Sequence, residues 1–122
     1  KGTGDDLVVV NTHWDHVGLV ARRESGAQIL EWITQNRLKG EQIVLMGDFN
    51  QWSDRGALSE FAFHHHRLVK TPPSFHSNRP VARLDRIIVS HDIMVESSGA
   101  HQSDLSKRAS DHLPLWATLK YA

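Results

Sequence analysis

Gly47-Asp48-Phe49-Asn50 places a carboxylate and an amide two positions apart. In extended backbone such residues point the same way. The pair suits holding a water, a hard metal ion or a phosphoryl oxygen. Gly, Asp and Asn are also ordinary turn residues, so the segment means more in company than alone. Its company is Asn11-Thr12-His13, Leu84-Asp85-Arg86-Ile87 and Ser110-Asp111-His112-Leu113-Pro114. Together the four segments carry two imidazoles, three carboxylates and two amides.

Each segment adjoins an apolar run that reads as a strand. Leu7 to Thr12 and Ile43 to Met46 are apolar on both faces, as are Ile87, Ile88 and Val89 within Leu84 to Ser90. Ile93 to Ser98 is a weaker fourth strand, and Leu113 to Lys120 alternates as a terminal one. Between the first two strands, Val20, Ala21, Ile29, Leu30 and Ile33 mark one face of a helix over Leu19–Leu38. Lys39-Gly40 is a cation and a glycine suited to ending it. Strand, helix, strand with short links predicts a parallel βαβ unit. Ser53-Asp54 can cap a short helix over Arg55–Phe63, and Pro72-Pro73 marks a loop.

At 122 residues the chain is one domain at most. Lys+Arg and Asp+Glu are both 14, so no global basic field announces nucleic acid. There is no cysteine, which removes disulfide frameworks and thiolate metal sites and leaves the compartment undetermined. No apolar run approaches the roughly 20 residues of a membrane helix. Lys1-Gly2-Thr3-Gly4 is neither a signal peptide nor a natural start, so a fragment is expected. Three strands want cover on both faces, and the helices can cover only one. The other face must meet a second sheet or another chain, which predicts self-association through the uncovered face.

Asn-Thr-His, Gly-Asp-Phe-Asn, Leu-Asp-Arg-Ile and Ser-Asp-His-Leu-Pro, in that order, resemble the C-terminal half of the endonuclease/exonuclease/phosphatase superfamily, whose fold is that of pancreatic deoxyribonuclease. His13-Trp14-Asp15-His16-Val17-Gly18 with Ala21-Arg22-Arg23-Glu24-Ser25 is similar to its bacterial branch. The resemblance implies an α/β fold: half of a two-sheet α/β sandwich, one mixed β-sheet with helices on one face. Residues 1–122 would be the C-terminal half of the domain, with the N-terminal half absent.

By the same resemblance the activity is hydrolysis of phosphodiesters or phosphomonoesters with Mg²⁺ or Mn²⁺. Asp48 and Asn50 position and activate the attacking water. His13 contacts the phosphate, and His112 lies near the scissile phosphate with Asp85 orienting it. Asp111 lies at the metal, whose Glu ligand belongs to the missing half. Asn11, Asp15, His16, Arg83 and Arg86 are candidate substrate contacts. A nucleic acid, a phospholipid and a small phosphodiester all fit this half.

Two alternatives come from the same residues. His13-Trp14-Asp15-His16-Val17-Gly18 is similar to the zinc loop of metallo-β-lactamase-fold hydrolases, with Asn11 where a first His should stand; His13, Asp15 and His16 would then be ligands. An incomplete domain can also serve as a non-catalytic binding or assembly module. Trp14 and Trp52, which follow the first two polar segments, would anchor loops or stack on an apolar group.

Overall fold

The structure is a computed structural model that describes residues 6–36, 42–63 and 66–120. Strand β1 (Leu7–His13) leads through helix α1 (Leu19–Gln35) to β2 (Gln42–Asp48). A single turn of 3₁₀ helix (Gly56–Leu58) runs into α2 (Ser59–Phe63), followed by β3 (His66–Leu68) and β4 (Asp85–Ser90). Strand β5 (Met94–Ala100), helix α3 (Asp104–Ala109) and β6 (Leu115–Lys120) complete the order. The expected end of α1 at Leu38, with its Lys39-Gly40 cap, lies outside the described residues.

Strands β1 and β2 are parallel, in register from Leu7 opposite Gln42 to His13 opposite Asp48. Strand β4 is antiparallel to β2, and β3 is antiparallel to β4, giving a mixed sheet in the order β1-β2-β4-β3. Its centre is dry. Leu45 and Ile88 have no exposed surface, and each such side chain contributes about 2 kcal/mol by leaving water. Ser90 Oγ accepts a hydrogen bond from the Ile43 amide at 2.8 Å, satisfying the one hydroxyl in this buried edge of the pair.

Period-two alternation sends neighbouring strand residues to opposite faces. One face packs Val8, Val10, Ile43, Leu45 and Ile88 against Leu30 and Ile33 of α1 and against Trp14, Phe49, Leu58 and Phe61. The helical face of the sequence reading is partly right. Ile29, Leu30 and Ile33 pack inward, but Val20 is 67% exposed, and Gly26, which the apolar pattern does not mark, is buried. A Cβ at Gly26 would come within 3.1 Å of the Trp14 indole. The close approach of helix to tryptophan therefore depends on a residue with no side chain.

The opposite face differs from expectation. Strands β5 and β6 do not extend the main sheet but pair with each other, antiparallel, as a second sheet of two strands. Val95, Leu115, Ala117 and Leu119 from this pair pack onto Val44, Met46, Ile87 and Val89. The chain thus carries the start of its own second sheet and covers the β2–β4 part of this face itself. Val9, on the β1 part, stays 55% exposed. Helix α3 was not anticipated. It is set by a capping box in which Ser103 accepts from the Ser106 amide and Ser106 accepts from the Ser103 amide.

Candidate active site

The sheet register places the polar residues side by side. β1 and β2 run parallel and end together at His13 and Asp48, while antiparallel β4 begins at Asp85 opposite Asp48. Three adjacent strands thus present His13, Asp48 and Asp85 along one sheet edge. Gly47 makes the close pairing possible. Its φ is +147°, and a Cβ there would lie 1.8 Å from the Thr12 carbonyl oxygen.

Beyond β2 the chain turns sharply. Asp48 Oδ1 accepts from the Asn50 amide at 2.9 Å, and Asn50 adopts φ +47°, a left-handed conformation that Asn tolerates better than most residues. The Asn50 side-chain amide donates to the Trp14 carbonyl at 2.6 Å, while the Trp14 amide donates to the Asp48 carbonyl at 2.8 Å. The turns after β1 and β2 are therefore locked to one another.

His112 arrives from the other sheet, just before β6. Its segment pairs with Phe75, whose ring lies 5.1 Å from the imidazole, and the Leu113 amide donates to the Ser74 carbonyl at 2.8 Å. His112 Nδ1 is 2.6 Å from Asp85 Oδ2, the hydrogen bond expected between these two residues. The same Oδ2 accepts from the hydroxyl of Ser74 at 2.5 Å. His112 Nε2 lies 3.8 Å from Asp48 Oδ2, and His13 Nε2 lies 3.5 Å from that oxygen. A cleft of about 460 Å³ opens beside Asp48 and Asp85 toward β6, with Asn11 on its rim.

Electrostatics favour a charged His112. Partial burial works against the imidazolium, but the Asp85 hydrogen bond and the charges of Asp85, Asp48 and Asp111 outweigh it, so the ring titrates above its ordinary 6.5. Among the described residues, Asp48, Asp85 and His112 are the group that could hold a metal ion, with ligand atoms within 4.8 Å of one another. Two carboxylates fit a hard cation, since Mg²⁺ takes one or two of them and completes its shell with water and phosphate oxygens.

A sequence model of the Endonuclease/Exonuclease/phosphatase family matches residues 1–112. The chain belongs to this family. Solved structures agree. A conserved protein of unknown function from Enterococcus faecalis V583 is 25% identical with TM-score 0.78, the match covering 93% of this chain and 50% of that one. A mannosyl-6-phosphatase of Bacteroides thetaiotaomicron is 26% identical with TM-score 0.77, over 98% of this chain and 53% of that one. A family member from Bacteroides vulgatus is 28% identical with TM-score 0.77, over 98% and 51%. The chain thus spans about half the length of these relatives. No curated protein matches the sequence.

Of the family positions named from sequence, His13, Asp48, Asn50, Asp85 and His112 are gathered at this edge. Asp111 is exposed and is not part of the three-residue cluster. Arg86 differs from its expected place. It is 5% exposed, and its guanidinium is spent on the Asp54 carboxylate and on the Gln51 and Arg83 carbonyls, so it tethers the loop after β2. Arg83 is exposed and donates to the Thr71 carbonyl.

Asp15 accepts from the Val17 and Gly18 amides, which lowers its pKa and shapes the turn into α1. His16 stands beside it in the open, 3.9 Å away. His13, Asp15 and His16 form no metal-holding group among the described residues, so the zinc-loop alternative loses its site. Trp14 anchors loops from the core and Trp52 is 68% exposed. Sequence reasoning missed Ser74. A serine after two prolines carries no signal, and only the fold brings it to Asp85.

Proposed function

We propose that the chain carries one half of a phosphoesterase site that hydrolyses a phosphate ester with an activated water. The reading rests on the 2.6 Å contact between Asp85 and His112 Nδ1, with His112 Nε2 left facing Asp48. Asp48 takes a proton from the attacking water. The Asn50 amide nitrogen is engaged by Trp14, which leaves its carbonyl oxygen to hold the water in line. His13 and the charged form of His112 donate to phosphoryl oxygens as charge builds on them, and Asp85 holds Nδ1 of His112 so that Nε2 faces the phosphate. Asn11, which lines the cleft, and the exposed His16 and Arg83 are the substrate contacts to test.

The carboxylates of Asp48, Asp85 and, at the rim, Asp111 are the oxygen donors this chain offers to Mg²⁺ or Mn²⁺, with a Glu from a complementary half completing the set. Such a cation, when bound, neutralises charge on the phosphoryl oxygens. The half-length match to the solved relatives supports this division of the site. The exposed Val9 supports a sheet surface beside β1 that receives the complementary half or, in its absence, a second copy.

The mannosyl-6-phosphatase relative makes a sugar 6-phosphate the first substrate to test; nucleic acid, phospholipid and small phosphodiesters follow. The chain alone should turn over none of them measurably. Joined to a complementary half, it should hydrolyse phosphate esters with Mg²⁺ or Mn²⁺ and stop with a chelator. Undiminished turnover after both Asp48→Ala and His112→Ala would rule the assignment out.

A further inference from the structure

We propose that Ser74 is a positioning residue of the site: its hydroxyl fixes the Asp85 carboxylate so that His112 is held in one tautomer. This rests on the reading of Asp85 and His112 given above. Both donors meet a single oxygen, Asp85 Oδ2, with Ser74 Oγ at 2.5 Å and His112 Nδ1 at 2.6 Å. A carboxylate oxygen has two lone pairs, so the two bonds are compatible.

The carboxylate needs such a fixture. The terminal torsion of Asp is broad, so β4 alone does not decide how the carboxylate plane is turned toward the imidazole. Ser74 can decide it because its own backbone is fixed on both sides. Its amide donates to the Ala82 carbonyl at 3.0 Å, and its carbonyl accepts from the Leu113 amide at 2.8 Å. One bond ties it to the approach to β4 and the other to the segment that carries His112. Ser74 has no exposed surface, so water has no access to replace the hydroxyl if it is lost. A residue that merely satisfied its own buried hydroxyl would leave the imidazole indifferent to its removal.

The imidazole itself supplies the readout, without any need for turnover. In the ¹⁵N-labelled 122-residue chain, long-range proton–nitrogen correlation of the histidine rings is recorded above the pH at which the ring loses its charge. The His112 signals are identified by their loss in His112→Gln. The wild type should display one tautomer, with the proton on Nδ1. Ser74→Ala should convert this to averaged signals of both tautomers, and Ser74→Thr, which keeps the hydroxyl, should restore the single form. If Ser74→Ala does not fold, Ser74→Cys fills the same volume with a weak donor and should display the same averaging.

Asp85→Asn separates the two levels of the claim. A wild-type His112 pattern in Ser74→Ala or Ser74→Cys, alongside a changed one in Asp85→Asn, overturns the role of Ser74 and leaves Asp85 standing. An unchanged pattern in Asp85→Asn overturns both. A folded Ser74→Thr chain with averaged tautomers also counts against the proposal.

Discussion

Asp48 has a histidine on either side, and the two are held differently. His112 is mostly enclosed, bonded to Asp85 and faced by the Phe75 ring. His13 ends an edge strand, its side chain is 76% exposed, and among the described residues its ion-pair partner is Asp48. Enclosure follows from the number of packed elements. His112 lies where β4, the 74–75 segment and the approach to β6 meet, whereas among the described residues β1 has a neighbour on one side only. The chain therefore encloses one flank of the site and leaves the other open.

The severest break in this arrangement is at Gly47, the point that lets His13 and Asp48 end in line. Gly47→Ala forces a Cβ against the Thr12 carbonyl at a positive φ, and should cost at least about 3 kcal/mol. Denaturant titration should find the chain largely unfolded. A midpoint near wild type would mean that β1 and β2 pair less closely than described.

Next in size are the chemical groups. In a completed, metal-loaded enzyme, Asp48→Ala or His112→Ala should lower kcat by a factor on the order of 10² or more, as for other positioned acid–base groups. Steady-state kinetics on a sugar 6-phosphate would measure it.

The flanks should also part company in stability. Asp85→Ala leaves a buried hydroxyl and an imidazole without their acceptor, a loss of about 1–3 kcal/mol. His13→Ala removes an exposed ring and should stay within about 0.5 kcal/mol of wild type. Equal unfolding midpoints for the two variants would erase the contrast.

Protonation gives a smaller and more specific signal. His112 binds its proton more tightly folded than unfolded, so its contribution to stability is complete below the ordinary 6.5 and fades as pH rises through the higher folded value. Thermal midpoints should fall across that window in the wild type and lose the slope in Asp85→Asn. Asp15 works with the opposite sign. Its lowered pKa adds stability above 3.8 that disappears as pH falls through the folded value. The difference between wild type and Asp15→Asn should accordingly shrink in acid.

Much of this was legible in the chain itself. The strands β2 and β4 announce themselves because packing on both sides makes both faces apolar, and β1 because its run from Leu7 to Val10 is apolar throughout. The site residues stand at their ends, where a motif can be read locally. The assignment of β5 and β6 to a separate sheet was not legible, because an alternating strand such as Leu115–Lys120 does not name its partner. Helix α3 was missed for a related reason: its single large apolar residue, Leu105, is 69% exposed, so no periodic face marks it. Arg86 misled because a cation beside Asp85 looks available until the loop bearing Asp54 folds over it. Ser74 acquires meaning only through contacts across the fold.

Trp14 gives the site an optical reporter. Its main chain holds both the Asp48 carbonyl and the Asn50 amide, and its indole is 2% exposed, with Phe49 at 4.7 Å and Phe61 at 6.4 Å. The other three tryptophans, Trp32, Trp52 and Trp116, are 45–68% exposed. A blue-shifted emission component that resists quenching by a polar solute therefore belongs to Trp14. Its red shift would register loosening of the Asp48–Asn50 turn before the rest of the fold gives way.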